Sequence, residues 1–284
     1  MIIESAFFKL LHIWTAQKRG KYERPISLLE YLQERPFAPR EFYETQFASI
    51  FANIIKNELP GLGIDIPERL VVQGYPYPDN PRKQVDIYVD LTEYVSKANI
   101  PFVYISKQNY IEVKLFGGKY TTRGGLTTTE NIGYIINDIL RLSLFTKKAQ
   151  NFENGVPSRY LLVIFDGYPK DYIAYSNREW LEELFLPLSF PGILKKQIKN
   201  RMDAIDRMPY MSYSQTIELR LSNKKNVPDS LFNKIRNDFV VKIDRHTLLR
   251  IPFIKYSIFP LNGSELFYAF LFRLFNIGIV SEAE

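Results

Sequence analysis

Apolar residues recur along this chain with two periods, and the switches between them set the expected order of elements. Phe7, Phe8, Leu10, Leu11 and Trp14 follow helical spacing, and residues 27–32 read as a second short helix after Pro25. Pro36 and Pro39 interrupt the pattern. A clearer helix is predicted over residues 40–59, with Phe47, Ile50, Phe51 and Ile54 on one stripe and Pro60-Gly61 at its end. Residues 70–73 and 85–89 then read as strands, joined by a proline-rich loop over 74–81. A third strand is expected over 110–115. Thr127 and Glu130 have the form of a capping box, and Ile132, Ile135, Ile136, Ile139 and Leu140 mark an amphipathic helix ending near Lys147-Lys148. Residues 160–165 form a continuous apolar run, as expected of a strand buried on both faces.

A helix linking strand 110–115 to strand 160–165 is a crossover, so these two strands should lie parallel in a mixed sheet covered by helices. Beyond Trp180 the pattern changes. Residues 180–200 look helical with breaks at Pro187 and Pro191, while 216–221, 239–243 and 251–259 read as strands. Residues 266–275 read as a final apolar helix, whose stripe of Leu266, Phe267, Phe270, Leu271, Leu274 and Phe275 is expected to be core, with a homodimer interface as the alternative. The fold class is α/β, an α+β mixed sheet. Three regions are expected: an N-terminal helical segment (1–39), a core (40–180) and a C-terminal extension (181–284).

Composition narrows the chemistry. There is no cysteine, which removes thiol nucleophiles, disulfides and Cys-based zinc sites, and only His12 and His246 could supply imidazole. One of these is expected on a helix and the other in a loop. Met1-Ile2-Ile3-Glu4 has no basic stretch before its apolar run and does not read as a secretory signal. No apolar stretch reaches the length of about 20 residues that spans a bilayer. A soluble, cytoplasmic protein with no membrane partner is the expectation. The net charge of +6 is uneven: residues 195–255 hold 14 Lys and Arg against 6 Asp and Glu, so an anionic partner is plausible there beside an ordinary solvated basic surface.

The sharpest feature is the polar content of two otherwise apolar strands. In Tyr110-Ile111-Glu112-Val113-Lys114-Leu115, Glu112 and Lys114 share a face, about 6.6 Å apart, while Val113 points to the other side. If Asp86, in Val85-Asp86-Ile87, lies on a neighbouring strand, two carboxylates and an ammonium converge. Such a set suits a hard cation, and the Val113 main-chain carbonyl would add an oxygen ligand. Asp90 is a further candidate on the face of Asp86, with strand-end capping as its ordinary role.

This element order, with Asp86 on one strand and Glu112-Val113-Lys114 on the next, resembles the PD-(D/E)xK nuclease superfamily over about residues 40–170. The resemblance implies a restriction-endonuclease-like core in which Asp86 and Glu112 bind Mg²⁺, with Mn²⁺ as a substitute, and Lys114 positions or activates the attacking water. It also implies that a further acid, here Glu44, comes from the helix before the sheet. Departures are visible: Val85 stands where the motif has proline, and Pro78-Asp79 fits its letters but not its strand context. Glu130 and Tyr134 occupy a slot where some exonuclease relatives carry Gln-x-x-x-Tyr, and that role is not carried over. Lys119 and Arg123, in a glycine-flanked loop, are candidate DNA-backbone contacts, with simple turn chemistry equally open; the loop lacks nucleotide-binding spacing. The implied activity is a magnesium-dependent DNA endonuclease of restriction or defence type. The alternatives are a degenerate nuclease fold serving as a nucleic-acid-binding or assembly module, and a nuclease for RNA or for branched or single-stranded DNA.

Overall fold

Residues Ser158–Phe165 are buried at every position, and the whole sheet is arranged around this strand. The computed structural model describes residues 2–18, 44–64, 67–98, 106–116, 128–149, 155–165, 172, 184, 213–225, 227–237, 243–258 and 268–281. In chain order the elements are α1 (Ile2–Lys18), α2 (Glu44–Glu58), α3 (Pro67–Leu70), β1 (Val71–Tyr77), β2 (Asn80–Asp90), α4 (Thr92–Ala98), β3 (Gln108–Phe116) and α5 (Thr128–Leu144). There follow β4 (Ser158–Phe165), β5 (Tyr213–Arg220), α6 (Asp229–Asn237), β6 (Thr247–Ile258), β7 (Tyr268–Leu274) and β8 (Gly278–Ser281).

The strands form one mixed sheet in the order β1-β2-β3-β4-β7-β6-β5, with β8 paired to β6. β3 and β4 are parallel, from Asn109 beside Ser158 to Phe116 beside Phe165, as the intervening helix α5 requires. The other pairings are antiparallel. Strands from residues 213–281 thus extend the same sheet that residues 71–165 begin.

Alternation along the central strands sorts side chains into two cores. Tyr110, Phe116, Leu161, Val163, Phe165, Phe270 and Phe272 join the apolar stripe of α5 and residues of α6 on one face. Ile111, Val113, Leu115, Leu162, Ile164 and Leu271 join α1 and α2 on the other. The stripe expected on α2 is buried in full; the helix ends before Pro60, and Gly63, at φ 76°, caps the short 3₁₀ turn Pro60–Leu62 that follows, its N–H donating to the Pro60 carbonyl at 2.9 Å.

Three expectations change. The apolar run at 266–275 is not a helix: β7 pairs with both β4 and β6, so alternate residues face opposite cores. A run that is apolar at every position but Arg273 has too little period to separate helix from strand, and the aromatic content here favours the sheet. The described members of its proposed dimer stripe are mostly core, with Phe275 exposed. The loop expected over 74–81 shrinks to Pro78-Asp79, because β1 runs to Tyr77 and β2 starts at Asn80. β1 is an edge strand with a register shift at Pro76/Tyr77, where a proline is tolerated. The strand expected from residue 251 starts earlier, at Thr247.

The helix at 27–32, the loop carrying Lys119 and Arg123, most of 180–200 and most of 239–243 lie outside the described residues. Among the described residues no helix is long and apolar enough to cross a membrane. His12 lies on α1, and His246 is exposed in the turn before β6.

The strand assignment of β7 is tested with Phe272, which falls off the stripe that a helix would bury but is 1% exposed here. Phe272→Ala and Phe270→Ala should each cost about 3–5 kcal/mol in urea unfolding. A marked loss for Phe270→Ala alone would contradict the strand.

Candidate active site

The site begins where the ladder between β2 and β3 stops. The two strands pair from Asp90 beside Gln108 to Ile87 beside Ile111. Beyond Ile87, β2 stays with β1, where Val85 sits beside Tyr75. The hairpin tip is held elsewhere: Asp79 donates its N–H to the Phe145 carbonyl at 3.0 Å, and its carboxylate accepts from the Lys148 N–H at 3.0 Å. β3 is therefore left with N–H groups on that edge and no strand to receive them.

Two carboxylates take the place of the missing strand. The Val113 N–H donates to Asp86 Oδ2 at 2.7 Å, and the Leu115 N–H donates to Glu44 Oε2 at 3.2 Å. Glu44 is the first residue of α2, whose buried stripe locks the helix onto the opposite face of the sheet. In a strand the carbonyl and N–H of one residue project to the same side, so the Val113 carbonyl lies on this edge as well.

Glu112 sits beside Asp86 and is 3% exposed. Tyr77, at the end of β1, donates its hydroxyl to Glu112 Oε1. Burial, and next the neighbouring charge of Asp86, push the Glu112 carboxyl up to about 8. Burial, followed by the charge of Glu112, also raises the Tyr77 hydroxyl well above its ordinary range, so Tyr77 remains a donor.

Lys114 faces the same side and reaches two further acids. Its Nζ lies 3.0 Å from Glu44 Oε1 and 3.3 Å from Asp138 Oδ2, with the Tyr134 ring centroid 5.9 Å away. Asp138, in the middle of α5, is 1% exposed and forms an ion pair with Arg141 one turn on. Tyr134, Asp138 and Arg141 fall at i, i+4 and i+7, hence along one side of the helix. The positive charge of Arg141 also reaches Glu112 and Tyr77, where it opposes part of the upward shift.

Asp86 and Glu112 act directly on one another, while Lys114, on the strand face of Glu112, turns its ammonium to Glu44 and Asp138, and Glu44 also accepts from the Leu115 N–H. Tyr77, Asp138 and Arg141 are the residues that sequence reasoning missed. Asp90 and Asp79 have structural partners instead: Asp90 accepts from the Thr92 N–H at 2.9 Å at the start of α4 and from the Tyr88 hydroxyl at 3.2 Å, and Asp79 fixes the hairpin.

Glu44, Asp86, Glu112 and Asp138 stand against Lys114 and Arg141, so the fully ionised cluster carries two excess negative charges. A divalent cation held by Asp86 and Glu112 would balance that excess and relieve the repulsion between them. The donor set fits a hard cation in that limited sense. Among the described residues no three acidic or imidazole side chains form a ready cage, and the rest of such a shell would fall to the Val113 carbonyl, water and substrate.

Comparison of the chain with protein-family models, with curated proteins and with solved structures finds no match.

Glu112 has a consequence for stability. Its folded-state pKa lies above its ordinary value of 4.5, so the folded protein binds a proton that the unfolded chain releases. That contribution is complete below about 4.5 and is lost as the pH rises towards about 8. In EDTA the melting temperature of the wild type should therefore fall between these two pH values. Glu112→Gln should flatten that fall, as read by thermal denaturation across the range.

Proposed function

We propose that this protein is a metal-dependent nuclease that hydrolyses phosphodiester bonds in DNA, an endonuclease of restriction or defence type built on a restriction-endonuclease-like core. The observation that carries this reading is the pairing of Asp86 with buried Glu112 at an open strand edge, with Lys114 on the same strand face as Glu112, in a cluster that holds two excess negative charges when fully ionised. A resident Mg²⁺ or Mn²⁺ would be held by Asp86 and Glu112, and would supply Lewis-acid polarisation and a water of lowered pKa.

The chain's own groups have separate tasks. The Asp86 carboxylate is oriented by the Val113 N–H, and the Glu112 carboxylate by the Tyr77 hydroxyl. Lys114, anchored by Glu44 and Asp138, presents an ammonium two residues along the strand from Glu112 and offsets negative charge on the phosphoryl group. Arg141 adds a second positive charge from α5. Both cations are partly buried, at 17% and 22% side-chain exposure, where charge is less screened than at the surface.

The binding-module alternative draws on one observation: Lys114 is engaged by two carboxylates, an arrangement that a purely structural ion pair would share. Turnover separates the two readings. Purified protein is incubated with supercoiled duplex DNA, single-stranded DNA and RNA, in Mg²⁺, Mn²⁺ or EDTA. Metal-dependent cutting of duplex DNA is expected, abolished by EDTA and reduced about 10²–10³-fold or more in Glu112→Ala, Asp86→Ala and Lys114→Ala. Salt-sensitive binding without cutting of any substrate would favour the module. Unaltered cutting by the three variants would remove this site from the reaction.

A further inference from the structure

Asp138 is a buried carboxylate that neither the open edge of β3 nor the acid pair employs. It lies in mid-helix on α5 at 1% exposure, a position where an ionised side chain is costly unless compensated. Its two oxygens are divided between cations from two elements: Oδ1 pairs with Arg141 of α5, and buried Oδ2, which has no hydrogen-bond partner, lies 3.3 Å from Nζ of Lys114 on β3 as an ion pair. Without it, two partly buried positive charges would face one another with Glu44 as the remaining partner of Lys114.

The directions of these groups matter. Arg141 is tethered through Nη2 while its buried Nε has no hydrogen-bond partner, and its charge acts on Glu112 and Tyr77. Lys114 shares the strand face of Glu112. We propose that Asp138 is a positioning residue that holds Lys114 and Arg141 side by side, so that both cations face the phosphoryl group beside the acid pair. What the cations act on rests on the nuclease reading; the anchoring itself does not.

Asp138→Asn keeps the side-chain shape and one acceptor but removes the charge. In metal-free protein, amine acetylation read by peptide mass spectrometry should label Lys114 about fivefold to tenfold faster in this variant than in the wild type. Lys56, paired with Glu68 and of similar exposure, is the internal control and should not change. In Mg²⁺ the same variant should lose about 10- to 100-fold in kcat on duplex DNA with KM little altered, and Asp138→Glu should recover part of it. Unchanged Lys114 labelling, or faster labelling with kcat intact, would overturn the proposal. Arg141→Gln, at a position with 22% side-chain exposure, gives a second reading that does not depend on how Asp138→Asn folds. Asp138 then serves Lys114 alone, so labelling should stay at or below the wild-type rate while kcat falls about tenfold. Faster Lys114 labelling there would overturn the anchoring. A wild type that cuts no nucleic acid would end the nuclease reading, with the labelling still deciding the anchor.

Discussion

The interruption of one hydrogen-bonded ladder organises this molecule. β2 leaves β3 after Ile87, drawn away with β1 towards the end of α5, and β3 must satisfy the N–H groups of Val113 and Leu115 by other means. Orphaned backbone donors in a largely buried strand are costly. Asp86 and Glu44 answer that demand, one from the departing strand and the other from the first residue of a helix on the opposite face. Because both acceptors are carboxylates, satisfying the backbone also concentrates negative charge at the same spot.

Charge then propagates through neighbours in alternating sign. Glu44 meets Lys114, Lys114 meets Asp138, and Asp138 meets Arg141, whose field extends to Glu112 and Tyr77 beside Asp86. Each link crosses from one element to another or joins adjacent turns of α5, so the cluster ties α2, β2, β3 and α5 together. The ties also restrict motion: a side chain held by two partners at 3.0 and 3.3 Å, as Lys114 is, has little rotamer freedom left to lose when it engages a ligand.

What could be read from the sequence follows from where periodicity carries information. Glu112 and Lys114 stood out because a strict two-residue alternation with Ile111, Val113 and Leu115 fixes their face, and Asp86 stood out on a strand equally apolar around it. Glu44 came into view through the resemblance, which draws a further acid from the helix before the sheet. The parallel pairing of β3 and β4 followed from the helix between them. β7 was misread because a run broken by Arg273 alone has too little period to tell strand from helix. Tyr77 was hidden by the prolines at 76, 78 and 81, which suggest a loop; Pro76 and Pro81 lie in the strands and Pro78 in the two-residue turn between them. Asp138 and Arg141 had no signal of their own: on a helix with one apolar stripe, charged residues read as the solvated side. Here the paired cations and the sheet edge bury Asp138, while Arg141 stays 22% exposed.

The amount of charge at this edge exceeds what the backbone requires. Two acceptors satisfy the Val113 and Leu115 N–H groups, and Asp86 and Glu44 provide them. Glu112, Lys114, Asp138 and Arg141 add nothing to that task, and burying them is expensive: ion pairs of this kind are at best neutral against a well-packed apolar replacement. The neighbouring faces show that apolar packing was within reach, since Phe116 and Val163 occupy adjacent positions on the same side of the sheet. Glu112 is the clearest case, an acid held at 3% exposure beside another acid, with its ionisation pushed up to about 8. Closing this edge alone does not account for such a group. A site that receives a cation and an anionic ester would use the excess carboxylate charge for the first and the anchored Lys114 and Arg141 for the second, which is why the energetic cost of the cluster itself supports the catalytic reading.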